Sequence, residues 1–233
     1  MSNVLIKERL YDGVLIKTTE IISKTEAENR ITLSCGASLV AELRPMASRG
    51  LGGLEGLWGI PGTVGGMVKQ NAGAYGYETA DRLIGATCYV RSAHTVTRYT
   101  KEELNFAYRD SLLSDKNFVL LNATFELVPK LREDVLSEVK DYALKRRASQ
   151  PIEYPSLGSV FKRYNGVSAA YYIDGAGLKG YAVGGARVSE KHAGFIVNSA
   201  DATADDYLRL IDYVKERVMT VFGIELKEEI EII

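Results

Sequence analysis

Glycine is concentrated between residues 50 and 76, where 10 of the chain's 22 glycines lie. Because glycine loses more backbone freedom than any other residue, this stretch cannot be a stable helix throughout. Loops without Cβ atoms let successive N–H groups approach a ligand, and they can cradle a pyrophosphate or the polar edge of a planar ring. The alternative for a generic glycine cluster is a set of tight β-turns.

The sequence of this segment excludes two common nucleotide-binding motifs. The pattern G-x-G-x-x-G fails because Glu55 stands where a third glycine would have to follow Gly50 and Gly52, and no Gly-Lys-Ser/Thr of a P-loop occurs. The segment instead contains two runs of small residues, Gly59-Ile60-Pro61-Gly62-Thr63-Val64-Gly65-Gly66 and Asn71-Ala72-Gly73-Ala74-Tyr75-Gly76.

Composition indicates a folded globular protein, with 46% hydrophobic and 25% charged residues among 233. A net charge of −1 provides no positive field for a nucleic acid or an anionic membrane, so neither is expected as a partner. The chain has no apolar run of about 20 residues and no secretion signal, which predicts a cytoplasmic protein. Its oligomeric state is left open.

The cysteines and histidines do not suggest a metal site. Cys35 and Cys88 form no C-x-x-C motif and have no metal-ligand spacing to His94 or His192. We therefore predict that no metal is bound.

The first half is predicted to be mainly β. Residues 14–18 and 30–34 are short apolar and β-branched runs, and residues 118–127 form a longer one. After Pro129, apolar residues recur at helical spacing up to Pro151, which predicts a helix leading into a second module.

A second helix is predicted to begin at Thr203. Asp206 lies three residues later, as in a capping box, and Gly223 is a natural C-terminal stop. Residues 224–233 alternate like a strand, apart from the last two.

The two runs of small residues resemble those of the UDP-N-acetylenolpyruvoylglucosamine reductases, and further motifs of that family follow in the same order. One such motif alone would be weak evidence, but the resemblance spans essentially the whole chain. The later motifs are Tyr108-Arg109-Asp110-Ser111, Gln150-Pro151, Gly158-Ser159-Val160-Phe161-Lys162, Gly177-Leu178-Lys179-Gly180, Gly184-Gly185-Ala186, Val188-Ser189-Glu190-Lys191-His192 and Leu226-x-x-Glu229.

The resemblance implies an α+β fold. Residues 1–148 with 223–233 would form an FAD-binding domain of the vanillyl-alcohol-oxidase/PCMH type, with its first subdomain largely missing. Residues 149–222 would form an α+β substrate-binding domain. The implied reaction is the reduction of FAD by NADPH, followed by hydride transfer to the enolpyruvyl group of a UDP-sugar, which gives UDP-N-acetylmuramate for peptidoglycan synthesis.

The resemblance also assigns roles to residues. The implied catalytic residues are Arg109, which steadies the intermediate, Ser159, which donates a proton, and Glu229, which completes the site. Without the resemblance, Arg109 would be a structural ion partner of Asp110, Ser159 a turn residue and Glu229 part of a solvated strand face. The implied FAD contacts are Ser2, Asn3, Gly59, Ile60, Pro61, Gly62, Thr63, Gly65, Gly66, Asn71, Gly73, Ala74, Tyr75 and Gly76.

Tyr108, Lys162, Lys179 and Asn198 are the candidates for binding the UDP-sugar, since an ammonium group is a good partner for phosphate. His192 lies in one of the family motifs but is not assigned as a catalytic base.

The sequence departs from the family pattern in two places. Residues 163–172 lack the usual proline and Ala-Gly pair, so the substrate loop is expected to differ. Ser2-Asn3 matches the end of a Gly-Ser-Asn word whose glycines, with the segment before them, are absent from the chain. Because those glycines would help to hold the pyrophosphate, we expect FAD to be bound weakly.

Two alternatives remain open at this point. One is a non-catalytic remnant that binds a UDP-sugar without flavin. The other is a different flavin oxidase of the same fold. The motifs at residues 108–111 and 158–162 are evidence against this second alternative.

Overall fold

The structure is a computed structural model in which residues 2–7 and 12–233 are described. It divides into two units. Residues 15–145 form the first, here called the glycine-loop unit, and residues 2–7 and 12–14 with 146–233 form the second, the C-terminal unit. The sequence placed the boundary at 148 and assigned residues 223–233 to the flavin domain. In the structure those last residues lie in the C-terminal unit, because Leu226 and Ile230 are buried in its core.

The elements are short except for two long helices and a few strands. The strands are β1 (Val4–Leu5), β2 (Lys24–Ala27), β3 (Arg30–Ser34), β4 (Leu51–Gly52), β5 (Gly73–Ala74), β6 (Tyr77–Glu78), β7 (Leu83–Val90), β8 (Thr95–Thr100), β9 (Phe118–Glu126), β10 (Val128–Pro129), β11 (Ser156–Ser159), β12 (Ala182–Val183), β13 (Ala186–Val188), β14 (Phe195–Asn198) and β15 (Glu231–Ile232). The helices are α1 (Leu39–Ala47), α2 (Val64–Lys69), α3 (Arg132–Ser149), α4 (Ala169–Gly175) and α5 (Ala204–Phe222), with 3-10 turns at Glu55–Leu57, Thr79–Asp81 and Leu112–Ser114.

An antiparallel sheet in the order β2-β3-β9-β7-β8 is the centre of the glycine-loop unit. Strand β3 pairs with β9 from Arg30↔Glu126 to Ser34↔Asn122. Because side chains alternate along a strand, Ile31 and Leu33 point into the core, whereas Thr32 lies on the other face and shares a 2.8 Å hydrogen bond with Thr124. The buried face packs against residues of α1 and α2.

Two of the three predicted strands of this unit are confirmed, those at residues 30–34 and 118–127. The strand predicted at residues 14–18 is wrong, because that segment has no strand assignment. Val14 and Ile16 are 86% and 82% exposed. Strand-forming residues make no strand without a neighbouring strand to complete their hydrogen bonds.

The C-terminal unit contains an antiparallel sheet in the order β11-β14-β13-β12, and α5 contributes several residues to its core. The predicted helix start is confirmed, because Thr203 and Asp206 form a reciprocal capping box. Gly223 ends the helix with a left-handed φ of 70°, as predicted. The predicted strand at residues 224–233 is largely wrong, since only Glu231–Ile232 is a strand, paired in parallel with β1.

Helix α3 confirms the helix predicted between Pro129 and Pro151. Within the described residues, no helix combines the length and apolarity that a membrane span requires.

The capping box predicts a measurable stability effect. Thr203→Ala removes the hydroxyl that accepts the Asp206 N–H at 3.1 Å, so it should lower the free energy of unfolding by about 0.5–2 kcal/mol. Urea unfolding followed by far-UV circular dichroism measures this. Thr220→Ala, in the exposed last turns of the same helix, is the matched control and should change stability by less than about 0.5 kcal/mol. Equal effects from the two substitutions would contradict the capping role.

Candidate active site

The loop from Gly59 to Thr63 leads into helix α2 of the glycine-loop unit, with Gly59 exposed and Gly62 and Thr63 half-buried. Gly62 has a φ of 137°, a conformation that residues with a Cβ rarely adopt. The loop is anchored where α2 begins, since the Val64 N–H donates to the Ala37 carbonyl and the Gly65 N–H to the Cys35 carbonyl, both at 2.8 Å. In the part of the chain that the structure describes, no protein acceptor pairs with the amides of Gly59, Gly62 or Thr63.

Asn71 is the centre of the second glycine-rich run. It is 1% exposed and has a left-handed φ of 41°. Its side-chain amide donates to the Glu78 carboxylate at 2.8 Å and to the Ala107 carbonyl at 3.1 Å, and its side-chain oxygen accepts the Ala80 N–H at 3.1 Å. The side chain predicted to contact FAD is therefore committed to holding three chain segments together.

Arg109 lies in a tight turn that faces this run. The backbones of Ala107 and Asp110 bond to each other in both directions, and Arg109 has a left-handed φ of 53°. Its guanidinium donates to the carbonyls of Asn71, at 3.2 Å, and Gly73, at 2.8 Å. The Tyr108 ring lies 5.0 Å from the guanidinium carbon. The structure therefore brings Arg109 to the Asn71–Gly76 run, where its charge is fixed by two backbone dipoles.

The amides of Gly59, Gly62 and Thr63 fit the pyrophosphate of FAD. Backbone N–H groups without protein acceptors are suited to anionic oxygens. The predicted contacts from Gly59 to Gly76 all belong to the glycine-loop unit. Ser2 and Asn3 belong to the C-terminal unit, where the Asn3 side chain donates to the Glu229 carbonyl at 3.2 Å.

Ser159 and Glu229 lie on adjacent, hydrogen-bonded segments of the C-terminal unit. Strand β11 ends at Ser159, and the next residue, Val160, accepts the Glu229 N–H at 2.7 Å. Two residues further on, the Lys162 N–H donates to the Lys227 carbonyl at 2.8 Å. Among the described residues, the Ser159 hydroxyl makes one hydrogen bond, a long one of 3.4 Å to the Phe161 carbonyl. A weakly held hydroxyl beside a carboxylate-bearing segment is an arrangement that can deliver a proton.

The other substrate candidates have different surroundings. Lys179 is paired with Asp174 at 2.6 Å, and the side-chain oxygen of Asn198 accepts the Ala202 N–H at 2.9 Å. The ring of His192 accepts the Gly194 N–H at 3.1 Å, and burial lowers the pKa of His192 below its usual value. His192 is therefore a neutral acceptor that shapes a turn.

Sequence reasoning did not select Glu55. Its side chain is 1% exposed, accepts the Gly53 N–H at 2.8 Å and pairs with Lys130 at 2.9 Å. The available signal was a lone carboxylate in an otherwise apolar and glycine-rich run, which requires partners once it is buried.

Comparison with known proteins defines the class first. Residues 1–97 match the family model described as an FAD binding domain, and residues 150–233 match that of the UDP-N-acetylenolpyruvoylglucosamine reductase C-terminal domain. The predicted fold class, an α+β chain with an FAD-binding part and a distinct C-terminal domain, is thereby confirmed.

Individual relatives agree with both matches. The UDP-N-acetylenolpyruvoylglucosamine reductase of Limosilactobacillus reuteri is 42% identical over 232 residues, covering 100% of this chain and 78% of the relative. That of Caldicellulosiruptor saccharolyticus is 44% identical over 235 residues, with 100% and 75% covered. A crystal structure of the Thermus caldophilus enzyme superposes with a TM-score of 0.76 at 35% identity, over 86% of this chain and 71% of that one. This chain belongs to the UDP-N-acetylenolpyruvoylglucosamine reductase family, as its motifs predicted.

The surroundings of Asn71 predict a pH-dependent loss of stability. Asn71→Asp would place a second carboxylate against Glu78 and the Ala107 carbonyl, at an expected cost of about 3–5 kcal/mol at neutral pH. Burial and the like charge raise the pKa of the introduced carboxyl in the folded state. The folded state therefore binds the proton more tightly, and stability should recover as the pH falls toward that raised value.

Urea unfolding at several pH values between about 8 and 5 measures this recovery. Asn117→Asp is the matched control, since its side-chain oxygen already accepts the Ser92 N–H and would still do so. A loss of stability that is independent of pH would contradict the explanation.

Proposed function

We propose that this chain reduces the enolpyruvyl group of UDP-N-acetylglucosamine enolpyruvate to give UDP-N-acetylmuramate, with FAD as cofactor and NADPH as the source of electrons. The observation that carries the proposal is the pairing of the Ser159 strand with the Glu229 segment, in a chain that belongs to this family. We place the reaction in the cytoplasm, with a small nucleotide sugar as the partner.

When bound, FAD supplies the hydride that is added to the terminal carbon of the enol ether. The amides of Gly59, Gly62 and Thr63 would hold its pyrophosphate, because they are N–H donors without protein acceptors in the described ranges 2–7 and 12–233. Backbone donors of this kind need no reorganisation when they bind an anion.

Ser159 is the proposed proton donor. Hydride addition leaves negative charge on the substrate carboxylate and a basic carbon next to it, which then takes a proton. A serine hydroxyl is a weak acid, but transfer to a strongly basic carbon is favourable when the oxygen lies close to it. The long bond to the Phe161 carbonyl leaves the Ser159 hydroxyl easy to redirect. Glu229, on the neighbouring segment, would orient the donor or the substrate.

Arg109 is the proposed partner of the substrate carboxylate. A guanidinium remains charged at any working pH and has five N–H donors in a planar fork. Two of them point to the Asn71 and Gly73 carbonyls, which fixes the orientation of the plane. Tyr108, Lys162, Lys179 and Asn198 are the proposed contacts to the rest of the nucleotide sugar. Lys179 would have to exchange its ion pair with Asp174 for phosphate.

A half-reaction experiment tests the role of Ser159. In stopped-flow measurements, Ser159→Ala should leave flavin reduction by NADPH nearly unchanged and slow substrate reduction by about 10²- to 10⁴-fold, the usual contribution of a general acid. Ser156→Ala, on the same strand, is the matched control and should leave both half-reactions unchanged. Equal slowing of both half-reactions by Ser159→Ala would mean that Ser159 is structural.

Substrate dependence tests the proposed reaction itself. In the presence of FAD, the full chain should oxidise NADPH rapidly with the enolpyruvyl nucleotide sugar and slowly with oxygen as the acceptor. Comparable turnover with unrelated alcohol or lactate substrates would contradict the assignment. A colourless chain that binds the UDP-sugar but no flavin would instead support a non-catalytic binding protein.

A further inference from the structure

Tyr75, Tyr77 and Tyr142 form an aromatic group, here called the tyrosine cluster, in which the second glycine-rich run meets helix α3. The rings of Tyr75 and Tyr142 are stacked, with centroids 5.0 Å apart and planes 24° apart. Tyr77 meets the edge of Tyr142 at 5.7 Å. Lys145, one turn further along α3, places its ammonium 5.1 Å from the Tyr142 ring centroid.

A partly buried ionic network fixes the part of α3 that carries Tyr142. The Tyr77 hydroxyl donates to Glu138 at 2.9 Å, and burial together with this bond raises the pKa of Tyr77. Lys130 lies between Glu55, at 2.9 Å, and Glu138, at 3.5 Å. Burial alone would lower the pKa of Lys130, but the two carboxylates reverse the direction. The helix position is therefore tied to the glycine-rich segment by charge as well as by packing.

The packing here is close as well as charged. A Cβ added at Gly56 would lie 2.5 Å from a Tyr77 ring carbon and 2.7 Å from the Ala74 carbonyl oxygen. Only glycine allows the 3-10 turn of residues 55–57 to approach the β5–β6 hairpin in this way. The hairpin thus packs against both the 3-10 turn and α3.

Tyr75 occupies the turn of this hairpin under conditions that require support. Its φ is 56°, which is uncommon for a residue with a side chain, and its side chain is partly exposed. A residue held in this region persists when its surroundings determine its position. The stacked ring of Tyr142 is such a determinant, because it fixes the direction of the Tyr75 side chain as well as the backbone.

We propose that Tyr142 is a positioning residue for the cofactor: its ring holds Tyr75, and with it the Asn71–Gly76 run, in the conformation that receives the flavin. This inference rests on the proposed function for the identity of the ligand. Loop conformation affects affinity because ordering a loop on binding costs free energy that a preorganised loop does not lose. Tyr142 acts through Tyr75 and is not assigned a contact with FAD.

The ring of Tyr142, and not its hydroxyl, carries this role. Among the residues that the structure describes, the Tyr142 hydroxyl has no hydrogen-bond partner. Tyr142→Phe should therefore behave like the natural chain, whereas Tyr142→Ala and Tyr142→Leu remove the stacking surface. Lys140→Ala, on the exposed side of the same helix, is the control for effects on α3 itself.

Flavin titration of the full chain is the first measurement, with fluorescence quenching of free FAD as the signal. Tyr142→Ala and Tyr142→Leu should weaken binding by about 2- to 12-fold, which corresponds to the roughly 0.5–1.5 kcal/mol of one aromatic pair. The visible circular dichroism of the flavin at saturation should also change. Tyr142→Phe and Lys140→Ala should bind FAD with the affinity of the natural chain.

Hydrogen exchange without flavin is the second measurement. Tyr142→Ala should speed exchange in residues 70–81 and leave strands β7 and β9 unchanged, whereas Tyr142→Phe should restore protection. Unchanged affinity, or unchanged exchange in residues 70–81, would overturn the proposal. If the natural chain binds no FAD, the proposed function fails, while the exchange result still decides whether Tyr142 positions the loop. Loss of protection throughout the unit would mean a general structural role and would also overturn the proposal.

Discussion

The arrangement of the glycine-loop unit depends on one buried amide. The Asn71 side chain has two donors and one acceptor in use, to Glu78, Ala107 and Ala80, and the Asn71 carbonyl receives Arg109 in return. A buried polar group of this kind is stabilising only when its partners are all present. The motifs that contain Asn71 and Arg109 are 38 positions apart in sequence, and Asn71 joins them through its side-chain bond to Ala107 and its carbonyl bond to Arg109.

Much of this organisation was predictable from sequence because local rules and tertiary packing agreed. Helix α5 has its capping box and its terminal glycine in sequence order, and both were confirmed. Strand β3 has the alternation of a strand buried on one face. The segment at residues 14–18 shows where prediction from sequence fails, because β-branched residues form a strand only when a neighbouring strand pairs with them.

The candidate site was predictable to a different degree. Sequence motifs identified the glycine loops, Arg109, Ser159 and Glu229. A motif match, however, does not distinguish a residue that contacts a ligand from one that stabilises the loop conformation. Asn71 was chosen as a ligand contact, and its side chain is engaged within the protein. Glu55 and Tyr142 belong to none of the family motifs given above. Glu55 contacts Lys130, 75 positions away, and Tyr142 contacts Tyr75, 67 positions away. Long-range pairing of this kind is not visible in local sequence.

The amides of Gly59, Gly62 and Thr63, which have no protein acceptor among the described residues, have a consequence for how such a site is mapped. Alanine scanning replaces side chains, yet the donors here belong to the main chain and survive the replacement of Ile60 or Thr63. Substitution of Gly62 would act differently, by forcing a φ of 137° on a residue with a Cβ. A side-chain scan would therefore score the loop as tolerant at most positions and intolerant at its glycines, a profile that reports backbone shape and says little about which atoms meet the ligand.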